Sequence, residues 1–218
     1  SLSADLYHTF GKVQTNLLVE GFYTILDDVF ALRDMDDAAD GGKVKERYNG
    51  SGATVRGFNV EGRAAFTRWF ELQAGVTLQQ SRYKEPEFWS EDAEVPPVRR
   101  MFRTPDAYGY FTASFKPVRN FTADLSGTCT GSMLVQHMAG SGVAQDVAVS
   151  TPSFFDMNIR LSYDVRIYKE ITMQLYGGVQ SLFNAYQKDF DKGVDRDSGY
   201  IYGPSLPRSW FVGAKFSF

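Results

Sequence analysis

Long stretches of the chain alternate apolar and polar side chains with period two, the pattern of strands with unlike faces; a helix would repeat apolar positions at i, i+3, i+4 and i+7. The clearest run sets Phe155, Met157, Ile159, Leu161, Tyr163, Val165 and Ile167 against Asp156, Asn158, Arg160, Ser162, Asp164 and Arg166. Ile171, Met173, Leu175 and Val179 then alternate with Thr172, Gln174, Gly178 and Gln180, and only Tyr168, Lys169 and Glu170 intervene, so the two runs predict a tight hairpin. Upstream, Phe121, Ala123, Leu125, Gly127, Cys129 and Met133 oppose Thr122, Asp124, Ser126, Thr128, Thr130 and Ser132, while Phe111, Ala113 and Phe115 oppose Tyr110, Thr112, Ser114 and Lys116, with Pro117 to Asn120 as the turn. Phe70 to Leu78 and Phe58 to Phe66 repeat the pattern on even positions. Leu17 to Ile25 does so on odd positions, broken by Leu18 and Phe22 on the polar side, and Ser1 to Phe10 supplies a further strand. The expectation is nine strands in an antiparallel all-β fold.

The connections alternate as well. Short turns near residues 11, 68, 118 and 169 alternate with long polar segments at 33–51, 84–105, 138–152 and 187–207. Short turns at one end and long loops at the other are the habit of transmembrane β-barrels, whose tilted strands are also longer than the usual five or six residues. Asp5, Glu20, Glu61, Arg63, Asp124, Asp156, Arg160 and Asp164 all fall on the polar faces, and so many charges cannot line a dry core. The apolar faces are then expected to meet lipid. Aromatic residues cluster near strand ends as an interfacial girdle would, with Phe10, Trp69, Phe70, Phe115, Phe121 and Phe218 on the short-turn side and Tyr23, Tyr83, Phe155 and Phe183 toward the long loops. The competing reading is an antiparallel sheet in water with one solvated face.

Composition narrows the function. The chain has 218 residues, room for one domain or two, and 23 basic against 26 acidic residues give a net charge of −3, so a basic groove for nucleic acid is excluded as the organising feature. Apolar runs are too short for a transmembrane helix and the first residues lack the pattern of a signal peptide; neither observation bears on a β-barrel. Cys129, the single cysteine, makes no intrachain disulfide and lacks the partners of a zinc site.

The last segment, Ser209 to Phe218, places Trp210, Val212, Ala214, Phe216 and Phe218 on one face and ends on an aromatic residue. It resembles the terminal strand signal of bacterial outer-membrane proteins, which their assembly machinery reads, with Trp210, Phe216 and Phe218 as its residues. Together with VQSLFNAY (179–186), PRSWFVGAKFSF (207–218), TNLLVEGFYT (15–24), VRGFNVEGRAAF (55–66) and RTPDAYGYFTASFKP (103–117), it is similar to the barrel of TonB-dependent outer-membrane receptors, particularly their Bacteroidetes branch. The resemblance implies a 22-stranded barrel, an N-terminal plug and a segment that engages TonB. The plug and that segment are not found in this chain, and an odd count of strands ending in the periplasm starts outside. Residues 1–218 are therefore expected to form one partial barrel domain, strands 14 to 22, of a receptor in the bacterial outer membrane. What the resemblance implies for function is import of a large scarce ligand, an iron–siderophore complex or cobalamin, with membrane lipid, TonB, the assembly machinery and the small-molecule ligand as partners and no cofactor. A passive porin or structural barrel, and a soluble secreted β-domain binding glycans or peptides, are the alternatives.

Candidate sites lie in the long segments. Asp34, Asp36, Asp37 and Asp40 invite a calcium reading, but starting the motif at Asp36 puts Ala38 at a ligand place and Arg47 where the bidentate glutamate belongs. Asp189, Asp191, Asp195 and Asp197 are equally irregular, so both segments read first as solvated loops. Tyr83, Phe88 and Trp89, able to stack on a ligand ring, and Asp189 and Asp191 are the ligand-loop candidates. His8 and His137 are the only histidines, and nothing in the spacing assembles a catalytic triad or a Cys–His pair, so no enzyme is expected.

Overall fold

The computed structural model describes residues 1–34 and 45–217, and the described residues contain strands, turns and loops but no helix. The strands are β1 (Leu2–Phe10), β2 (Val13–Leu26), β3 (Phe30–Asp34), β4 (Lys45–Asn49), β5 (Ala53–Thr67), β6 (Phe70–Glu87), β7 (Val98–Arg100), β8 (Ala107–Val118), β9 (Phe121–Thr130), β10 (Leu134–His137), β11 (Val147–Ser150), β12 (Phe154–Tyr168), β13 (Ile171–Gln180) and β14 (Ser209–Ser217). Nine of them form one open sheet in the order β1-β2-β5-β6-β8-β9-β12-β13-β14, each antiparallel to its neighbour, with β7 added to β6. The expected nine-strand antiparallel fold is therefore what the chain adopts. β3–β4 and β10–β11 are separate hairpins inside the long connections.

The short turns tighten through local geometry. Gly11 sits at φ 62° and Lys169 at φ 43°, the left-handed region that a two-residue hairpin turn uses. The other two turns, and that at Lys169, are flanked by register shifts at Ala65/Thr67, Phe115/Val118 and Arg166/Tyr168, bulges that raise the local twist. Three boundaries differ from expectation. β12 takes in Tyr168, β8 runs through Val118, and β6 continues to Glu87 past the expected loop start at residue 84. Main-chain pairing needs no apolar alternation, so strands extend into segments that polarity alone reads as loop.

The register shows which side chains share a face, since directly opposed residues point the same way. Phe58–Leu78–Ala107, Val60–Val76–Gly109, Gly62–Ala74–Phe111 and Ala64–Leu72–Ala113 are rows of one face across β5, β6 and β8. That face is bare: Phe58 is 65% exposed, Trp210 77% and Val212 89%, while the buried apolar side chains among the described residues are only Ala53, Val135, Val179 and Tyr200. A sheet in water would not leave a continuous apolar face of this kind uncovered. From Phe70 to Gln80 the β6 face spans ten residue steps, about 33 Å of strand and about 25 Å of height at a typical barrel tilt of about 40°, the thickness of an outer-membrane apolar band. At its short-turn edge lie Phe66, Phe70, Trp69 and Phe115, with Trp69 against Phe115 at 5.1 Å and Phe66 against Phe70 at 5.3 Å between centroids.

The opposite face is a polar network. Arg63 pairs with Glu71; Glu61 accepts from the Tyr110 hydroxyl at 2.6 Å and from Gln73 at 2.8 Å. Ser114 donates to Asp124 at 2.5 Å, Gln174 to Asp164 at 2.9 Å, and Arg160 lies 4.6 Å over the Tyr176 ring. Charges that would be costly in a dry core are here matched against one another on a face turned away from the apolar band.

Candidate functional site

The connections 27–52, 88–106, 131–153 and 181–208 all leave the same end of the sheet, and side chains tie them into one layer. Tyr48 donates to Glu87 at 3.0 Å, Ser90 to Asp146 at 2.7 Å, and Ser141 to the Lys192 carbonyl at 2.5 Å. Arg103 is the main fastener. Its amide donates to the Leu134 carbonyl at 2.8 Å, and its guanidinium donates to the carbonyls of Ile201, at 2.7 Å, and Gly199. It sits at φ 57°, a conformation uncommon for a long side chain, which persists where surrounding bonds over-determine it.

Within this layer Tyr83, at the end of β6, joins Phe88, Trp89 and Phe102 around a cavity of about 240 Å³, closed by Glu87 and Gln136. Trp89 is held by its indole N–H, which donates to the Pro96 carbonyl at 3.3 Å, and meets Phe102 edge-on at 5.4 Å. Phe88 is 73% exposed. The three aromatic residues expected to contact a ligand thus meet at one place, in a pocket whose lining mixes these rings with polar groups, among them Ser51, Glu87 and Gln136.

Asp189 and Asp191 lie elsewhere, committed to other partners. His137 Nε2 faces both carboxylate oxygens of Asp191 at 3.0 Å, with both side chains buried, and the imidazole stacks on Tyr200 at 3.6 Å between centroids. The hydrogen bond from His137 holds the Asp191 carboxyl below its ordinary value, with a further contribution from the Asp197 amide. Asp189 accepts from Tyr202 at 2.6 Å and from Tyr200 at 3.3 Å. Burial first, and then the Asp189 charge, push both phenols up, so they remain donors. Asp197 receives the amides of Met138 at 2.9 Å and Gly199 at 2.8 Å. Gln187, buried behind the cluster, donates to the Tyr200 carbonyl at 3.1 Å and accepts from the Tyr202 amide at 2.8 Å. Asp191 and Asp197 therefore bind the last long segment to β10 and the residue after it, while Asp189 ties that segment to itself through Tyr200 and Tyr202.

Tyr200, Tyr202, Gln187 and Arg103 carry no periodic signal, and sequence reasoning missed them. His8 stands beside Phe10 at 4.2 Å on the bare face, where Cys129 is also exposed. Trp210 and Phe216 lie on that same face of β14. Among the described residues no group of three or more His, Cys, Asp or Glu side chains is placed to hold a metal. Asp36, Asp37, Asp40 and Phe218 lie outside the described residues, and Asp34 is described only as the backbone end of β3.

No protein-family model matches the chain, and neither does any curated protein sequence. Solved structures do. The ferric-catecholate import receptor Fiu of Escherichia coli K12 superposes with a TM-score of 0.60 at 17% identity, over 97% of this chain and 26% of that receptor. A ferric enterobactin receptor of Pseudomonas aeruginosa gives a TM-score of 0.60 at 13% identity, over 97% of this chain and 30% of the receptor. The copper transporter OprC gives 0.60 at 13%, over 99% of this chain and 30% of the transporter. This chain thus spans between a quarter and a third of the length of these proteins, and its fold is that of part of the barrel of TonB-dependent outer-membrane receptors.

Proposed function

We propose that the chain is nine strands of the barrel of a TonB-dependent outer-membrane receptor, one partial barrel domain whose plug and TonB-engaging segment belong to the rest of that receptor. Its work is the uptake of a large scarce ligand of the ferric-siderophore kind, with cobalamin as the second candidate. The observation that carries the reading is the pairing of a bare apolar face of membrane-spanning height with a charge-rich opposite face, in a sheet that superposes over nearly its whole length on receptor barrels. The aromatic cavity at Tyr83, Phe88 and Trp89 is the contact we assign to the ligand, while Asp189 and Asp191 hold the layer that presents it. The terminal strand, with Trp210, Phe216 and Phe218, serves outer-membrane assembly.

The test is uptake by the whole receptor that contains this chain, in cells lacking other importers and starved of iron. Growth on added ferric catecholates is expected only when both the receptor and TonB are present. Growth that is indifferent to TonB, accompanied by free entry of small sugars, would overturn active transport in favour of a passive pore.

A further inference from the structure

We propose that the bare face of β5, β6 and β7, immediately above the apolar band at the long-loop end, is a binding site for the phosphate of an anionic membrane lipid; this rests on the reading that the bare face meets lipid. In the register, Tyr23, Arg56 and Gln80 form the row directly above Gly21, Phe58 and Leu78, and Arg82 follows one step higher on β6. Phe58 and Leu78 are more than half exposed, so the last apolar row gives way within one residue pair to guanidinium groups. That is the depth at which a headgroup phosphate meets its acyl chains.

The cations there are under-matched. Arg82 is exposed and makes no hydrogen bond or ion pair with any described residue, and Arg56 has the neutral Gln80 as its partner, at 2.8 Å. Arg82 stands directly opposite Arg100 of β7, a like-charge pair that a sheet disfavours unless an anion joins it. Arg100 is matched in part: Nη2 lies 3.0 Å from Asp106 and donates to the Ser132 carbonyl at 2.8 Å, but its buried Nε has no acceptor. Gln80, Arg82, Arg100 and Asp106 border a cavity of about 250 Å³. Three arginines against one carboxylate leave this patch cationic in a chain whose net charge is −3. Arginine forks suit phosphate oxygens, and the apolar wall below suits the chains of a lipid rather than a free anion.

Native mass spectrometry of the whole receptor that contains this chain, in an uncharged maltoside detergent, with phosphatidylglycerol and phosphatidylcholine of matched chains as probes, tests the proposal. The receptor is expected to retain phosphatidylglycerol preferentially, with affinity falling about fivefold in R82Q and about thirtyfold in R56Q/R82Q, while R82K keeps most of it. Circular dichroism verifies that each variant keeps its strand content, and R82K keeps the test decisive if a glutamine variant does not. Equal retention of both lipids, or an unchanged preference in a folded R56Q/R82Q, overturns the site. Inorganic phosphate at millimolar concentration is expected to compete poorly; full displacement overturns the lipid as occupant. Insertion of the wild-type receptor into phosphatidylcholine vesicles separates the two readings, because failure there sinks the lipid-facing assignment itself, whereas insertion without anionic preference sinks only this site.

Discussion

Replacing Val76 by arginine asks the fold to betray which face it turns to hydrocarbon. Val76 is 45% exposed, six residues above Phe70 and four below Gln80, and its cross-strand partners are Val60 and Gly109. Near the middle of a band of about 25 Å, an arginine on the lipid face costs about 2–4 kcal/mol, a loss of about thirtyfold to a thousandfold in the folded population. Thr112 supplies the control. It lies within the same band on β8, three residues nearer the short turn than the Gly109 that pairs with Val76, and it projects from the other face, opposite Gln73 and Ser126, with Glu71 and Asp124 as diagonal neighbours. Thr112→Arg gains two nearby carboxylates and is expected to change stability by less than about 1 kcal/mol. Urea titration of both variants of the whole receptor, refolded into phosphatidylcholine vesicles and read by tryptophan fluorescence and gel mobility, measures the difference. Equal penalties, or a larger one for Thr112→Arg, would refute the assignment of faces and with it the membrane reading.

Other consequences are local to the loop layer. Because Asp191 is held below its ordinary value of 3.8, its contribution is complete above that pH and is lost as pH falls through the lower folded-state value. Amide-exchange protection around β10 and residues 181–208 should therefore drop below about pH 4 in the wild type, and D191N should start lower and lose that step. Arg103→Ala removes two hydrogen bonds from an exposed guanidinium to the last long segment, a cost of about 1–2 kcal/mol, and proteolysis within 181–208 should quicken about five- to thirtyfold. Trp89→Ala in the whole receptor should weaken ligand binding about tenfold or more without loosening the layer, whereas Asp189→Asn should loosen it with little direct effect on affinity; the reverse pattern would exchange the roles assigned to them.

The sheet was legible in the sequence because a strand writes its two environments into alternate positions, so Phe155 to Ile167 and Phe70 to Leu78 declared both their period and their faces before any pairing was known. The alternation of short turns and long segments carried the antiparallel order and the common end of the loops. What tertiary structure alone decided is how those loops meet. Asp191 and His137 are 54 residues apart and Arg103 and Ile201 are 98 apart, and neither pair carries a periodic or spacing signal, since each contact exists only after the strands between them are in register. The same holds for Arg82 and Arg100: each is an unremarkable surface arginine in the sequence, and only the β6–β7 pairing sets two like charges side by side above a lipid-height apolar wall. A face is encoded in the chemistry of neighbouring residues, whereas a site depends on distances between segments that local sequence does not contain.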